Sequence, residues 1–136
     1  MLDTNVLIAA FAARGLCHSI FELCIDQHEI VLSGQILTEV AANLERKIHL
    51  PTAVIQDLVQ FLRDNTFVEN VQQPACIICR DRSDDWILAL AEQTNADYIV
   101  TGDQDLLILE KYGTIPIIQP RRLWEILNTK NNASNC

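Results

Sequence analysis

Four carboxylates stand where alternating strands and helices would gather them. Asp3 follows the apolar pair Met1-Leu2, and Asp103 comes just after the β-branched run Tyr98-Ile99-Val100-Thr101. Asp85 precedes the apolar stretch Trp86-Ile87-Leu88-Ala89-Leu90-Ala91, and Glu39 lies beside Val40 at the border of an apolar stripe. Anions crowded at one edge repel one another, so a fold that collects them calls for a cation. All-oxygen ligands suit the hard ions Mg²⁺ and Mn²⁺. Such an ion polarises a phosphate and lowers the pKa of water. With two ions roughly 3.5–4 Å apart, one serves the attacking oxygen and the other the leaving oxygen. The chemistry expected is phosphodiester hydrolysis by activated water, with no His, Ser or Cys nucleophile.

Each acid also has a simpler reading. Asp84 and Asp85 suit a helix start, where the macrodipole favours negative charge. Asp103 and Asp105 suit a cap, and Asp3 an Asx turn. Glu39 can swing its head into water. Their convergence from four separate elements favours the chemical reading over these.

The elements that would bring them together follow from periodicity. Apolar positions predict helices over Val6–Ala13, Ser19–His28, Gln35–Ile48, 52–65, Asp84–Thr94, Asp105–Tyr112 and Pro120–Leu127. Ser33 is a candidate N-cap, and Pro51 can open the helix after it. Short β-rich runs occur at Met1–Leu2, Glu29–Leu32, Phe67–Val71, Tyr98–Thr101 and Ile115–Ile118. Residues 72–83 read as a loop, and Asn128–Cys136 as a loose, amide-rich tail after a single domain over 1–127. Strands that are apolar throughout and alternate with helices predict an α/β fold, with a parallel sheet covered on both faces. Ligands in such sheets bind beyond the carboxyl ends of the strands, on the rim where Asp3 and Asp103 fall.

Composition narrows the class. The 136 residues suffice for one domain, and 49% are hydrophobic, which excludes a disordered chain. Acids outnumber bases 18 to 10, for a net charge of -8, so non-specific polyanion binding is disfavoured. A nuclease stays open, because a metal neutralises its own ligands. No apolar run approaches the roughly 18 residues that span a bilayer, and no export signal opens the sequence. A cytoplasmic protein with no membrane segment and reduced thiols is expected from this and from the 5 cysteines.

The run LDTNVLIAAF, the helical Glu39 and CRDRSDDWILALAEQTNADYIVTGDQDLL together resemble a PIN-domain protein. They look most like toxin components of toxin–antitoxin pairs related to VapC. The likeness covers roughly residues 1–125. It implies a three-layer α/β/α sandwich with a central parallel sheet of about five strands. It also implies a Mg²⁺- or Mn²⁺-dependent endoribonuclease that leaves a 5′-phosphate and a 3′-hydroxyl. Carried over by position, Asp3, Glu39, Asp85 and Asp103 match the catalytic, metal-holding acids. Asn5 and Thr101 match polar residues lining the same pocket, Asp81 and Asp84 lie close to it, and Asp105 is more peripheral, placed to assist through water. Several apolar residues precede the LDTN motif in the family, forming its central strand; here Met1 and Leu2 precede Asp3. An antitoxin partner and a homodimer or higher assembly are further expectations of the resemblance.

Other features carry less. Arg14, Arg80 and Arg82 can guide an RNA backbone, whereas Arg121 and Arg122 read as solvated charge. Cys76-x-x-Cys79 is half of a tetrahedral zinc site; Cys17, His18, Cys24 and His28 would have to complete it. A catalytically inert module that docks a partner protein or RNA is the competing functional class. An aspartyl-nucleophile phosphatase needs a lysine beyond a strand, and Lys47, Lys111 and Lys130 fall elsewhere.

Overall fold

A computed structural model describes residues 1–71 and 82–134. In chain order the elements are α1 (Thr4–Ala12), α2 (Leu16–Gln27), β1 (Val31–Ser33), α3 (Gly34–Arg46), α4 (Thr52–Asn65), β2 (Phe67–Glu69), α5 (Arg82–Gln93), β3 (Ile99–Val100), α6 (Gln104–Leu107), β4 (Lys111–Tyr112), β5 (Ile115–Ile118) and α7 (Pro120–Ser134).

Local chemistry sets these boundaries. The Ser33 hydroxyl accepts from Ile36 N at 3.1 Å, so α3 begins where β1 ends. After α3, His49 adopts φ 60°. Its N–H reaches Glu45 O at 3.2 Å, the single 5→1 bond of an αL ending, and Leu50 N reaches Leu44 O at 3.2 Å. The amphipathic face of α3 buries Ile36, Leu37, Val40 and Leu44. Helix α1 packs against α2 and α3, α4 against α3, α7 against α2, and α5 against β1. Leu7, Leu32, Leu37, Leu88, Leu90 and Val100 lie in the shared core.

The chain is α/β, as expected, but one five-stranded parallel sheet does not form among the described residues. Strands β1 and β2 make a parallel pair in the register Val31↔Phe67. A second sheet has the order β3-β5-β4, with β3 parallel and β4 antiparallel to β5. Leu2 makes a parallel bridge to Val100. Met1 N donates to Tyr98 O, Val100 N to Met1 O, and Asp3 N to Val100 O, each at 2.9 Å. All three bonds run toward β3. Met1–Asp3 therefore pairs on one side only and does not join β1 to β3 among the described residues. A cavity of about 720 Å³ opens there, lined in part by Leu2, Ile30, Val31, Tyr98 and Leu127.

Two other expectations change. The helix predicted over Asp105–Tyr112 ends at Leu107. Glu110 takes φ 63° and Gly113 φ 62°, so the chain turns back as a β4–β5 hairpin. Helix α7 continues to Ser134 rather than stopping at Leu127, so most of the expected loose tail is helical. No single helix is long and apolar enough to cross a membrane among the described residues.

Candidate functional site

Asp3 is placed by the backbone on both sides of it. Its N–H is fixed to Val100 O, and its carbonyl accepts from Val6 N at 3.1 Å and Leu7 N at 3.2 Å at the start of α1. Its side chain caps the same helix, with Oδ1 accepting from Thr4 N at 2.7 Å. Oδ2 accepts from the Thr101 hydroxyl at 2.8 Å. The carboxyl is thus nearly sealed, with Asp3 5% exposed.

Thr101 follows β3 and is fully buried. Besides donating to Asp3, its Oγ1 accepts from Asp103 N at 3.0 Å. Asp103, half-buried, caps α6 through Oδ1, which accepts from Asp105 N at 2.9 Å. Glu39 is half-buried in the second turn of α3, and its Oε2 accepts from the Thr4 hydroxyl at 2.9 Å. The rim beyond the strand ends therefore gathers Asp3, Glu39 and Asp103, with Thr4 and Thr101 as the links.

Their proximity shapes the electrostatics of Asp3. Burial pushes the Asp3 carboxyl above its ordinary value; the Thr101 and Thr4 bonds pull it down, and the nearby Asp103 and Glu39 carboxylates push it up. Asp85, in the first turn of α5, is buried. The helix after it buries Ile87, Leu88, Leu90 and Ala91, which fixes its place against β1.

A PIN domain family model matches residues 1–105. The chain belongs to the PIN domain family. PIN domains are generally nucleases and typically depend on divalent metals. No curated protein matches this one.

The donors of this PIN domain suit a hard divalent ion in kind, since all the acids are oxygen ligands and two, Asp3 and Asp85, are buried. Among the described residues, however, no three His, Cys, Asp or Glu side chains form a group that could hold one ion. Both Asp3 oxygens, Asp103 Oδ1 and Glu39 Oε2 are instead engaged by donors of the protein itself.

Other expected site residues divide. Asn5 is exposed on α1, Asp105 is exposed on α6, and Arg14 is exposed between α1 and α2. Asp81, Arg80 and the Cys76–Cys79 pair lie outside the described residues, as do the side chains of Arg82 and Asp84. The cysteine–histidine zinc group does not assemble among the described residues. His18 instead faces Ala10 O at 3.1 Å and Glu22 at 3.0 Å, and burial pushes the Cys24 thiol up, away from the thiolate a metal needs. Thr4 was passed over in the sequence. Its signal was available only in space, because Glu39 is 35 positions away.

Proposed function

We propose that this PIN domain is a Mg²⁺- or Mn²⁺-dependent endoribonuclease acting as the toxin of a toxin–antitoxin pair. The observation that carries the reading is the buried Asp3 carboxylate, held at the strand ends by Thr101 with Asp103 and Glu39 close enough to raise its pKa. A fold gains nothing in stability by burying one carboxylate near two others. Such an arrangement is characteristic of functional sites.

In this reading Asp3, Glu39, Asp85 and Asp103 hold the metal. The bound ion supplies Lewis-acid polarisation of the scissile phosphate. Thr101 orients Asp3 and fixes the backbone of Asp103. Asn5, exposed beside Asp3, faces incoming RNA, and Arg14, Arg80 and Arg82 contact its phosphates. A homodimer and a cytoplasmic location complete the proposal. A net charge of -8 suits an antitoxin with a basic docking segment.

The test is cleavage of single-stranded RNA in Mn²⁺ by the wild type, Asp3→Asn and Asp103→Asn. Loss of cleavage in both variants supports the assignment, and equal cleavage by all three proteins overturns it. The lack of a three-ligand group among the described residues favours a second reading, an inert module that docks a partner protein or RNA. That reading predicts no cleavage by the wild type and no Mn²⁺ heat in calorimetry.

A further inference from the structure

We propose that the cavity beside Met1–Asp3 is a strand-addition site: it takes one extended apolar peptide with a basic end, paired between β1 and β3. Strand addition needs no metal and stands apart from RNA cleavage.

The backbone shows which groups face the cavity. Met1 C=O and Asp3 N–H both bond to Val100, so alternation along the strand turns the Leu2 N–H and C=O to the opposite side. Ile30 C=O accepts from Phe67 N at 2.8 Å, on the β2 side, which turns the backbone groups of Val31 away from β2. Tyr98 C=O accepts from Met1 N at 2.9 Å, and Tyr98 N–H points the same way. Leu2, Val31 and Tyr98 all line the cavity. Their N–H groups have no hydrogen-bond partner among the described residues. Leu2 is 2% exposed, so water does not readily replace the missing carbonyl.

Strand addition satisfies such edges through the main chain and sorts peptides by their side chains. Here two edges border one cavity, and a strand entering it gains partners on both sides. Ile30, Pro116, Leu123 and Leu127 make the lining apolar, which suits valine and isoleucine. The volume of about 720 Å³ is that of a pocket able to enclose a ligand.

Charge selects the end of the peptide. Glu29 and Asp97 line the cavity and are exposed, so they stand at its entrance, next to Val31 and Tyr98 in turn. No lysine or arginine lines it among the described residues; His28 is exposed there, and the Met1 amine is engaged by Tyr98 O. An apolar segment ending in lysine or arginine is the complement of this surface.

The experiment uses the full chain and a short synthetic peptide of alternating valine and isoleucine with lysines at one end and both termini blocked. Binding is followed by fluorescence anisotropy, and amide hydrogen exchange by NMR with the peptide at about ten times its Kd. Exchange at Val31 and Tyr98 is expected to slow about tenfold, because mass action depletes the free form by that factor. A peptide with proline at its centre cannot pair there and is expected to give no protection. The exposed double variant Glu29→Lys/Asp97→Lys, verified by thermal melts, is expected to bind the lysine peptide up to about fivefold more weakly for each lost pair. Unchanged exchange at both amides, or equal protection by the proline peptide, overturns strand addition. Equal affinity of the wild type and the double variant overturns the basic end. If the double variant does not fold, a peptide with glutamates in place of the lysines is compared on the wild type, and equal affinity for the two peptides overturns the same point.

Discussion

The Thr101 hydroxyl donates to Asp3 Oδ2 at 2.8 Å across 98 positions of sequence. The two residues follow neighbouring strand segments, joined by the Leu2↔Val100 bridge. Because the same oxygen accepts from Asp103 N, one buried hydroxyl fixes two acids.

Replacing Thr101 by Val leaves Asp3 Oδ2 and Asp103 N without this partner in a buried site. Unpaired buried polar groups cost about 1–3 kcal/mol, so Thr101→Val is expected to lose that much stability. Urea unfolding checks it as a lower midpoint with an unchanged slope. Thr101→Ser is expected to recover most of the loss.

Asp3→Asn is expected to separate stability from activity. Asparagine is as good a helix cap as aspartate, so α1 keeps its start. The variant also removes a charge that burial disfavours, and its melting temperature should equal or exceed that of the wild type. RNA cleavage should fall by roughly 100-fold or more, in line with the loss of a catalytic carboxylate. Parallel melts and cleavage rates decide it.

The pH dependence follows from the same residue. The ordinary value is 3.8, and burial raises Asp3 above it in the folded chain. As pH rises, the unfolded chain releases this proton first. Between the two values the native state binds more protons, so its stability falls. The contribution from protonated Asp3 is complete below about pH 3.8 and is lost as pH climbs through the raised value. Asn has no such step. The melting-temperature advantage of Asp3→Asn should therefore grow from pH 4 toward neutrality and then level off, measured in chelator.

His49 offers a check on the backbone away from the site. It ends α3 at φ 60°, a conformation that costs a side chain and suits glycine. His49→Gly is expected to stabilise the protein by up to about 1 kcal/mol with no change in cleavage. A loss of stability in chemical unfolding would overturn this account of the helix end.

Where a signal was local, the sequence was readable. Ser33 capped the helix it was expected to cap, and the apolar faces of α3 and α5 lie in the core. Asp3 and Asp103 share a rim because they come just after the Leu2↔Val100 bridge and β3, and Glu39 reaches it from the second turn of α3 through Thr4. The β4–β5 hairpin was missed because Leu106, Leu107 and Leu109 imitate a helical stripe; positive φ at Glu110 and Gly113 decides otherwise. Sheet continuity is not legible in the sequence, because strand count does not reveal pairing, and Met1–Asp3 bonds toward β3 alone among the described residues. The Thr4–Glu39 link depends on helix packing, which no motif encodes.

The Leu2↔Val100 bridge carries a kinetic consequence. It lies at the seam between the two small sheets, and the bonds around it are the ones that seat Asp3. Short ladders of this kind open locally before the whole chain unfolds. On warming, the amides of Asp3 and Val100 should exchange with deuterium ahead of core amides such as Leu37. If the seam opens first, loss of RNA cleavage is expected to precede global melting, because the same bonds seat Asp3.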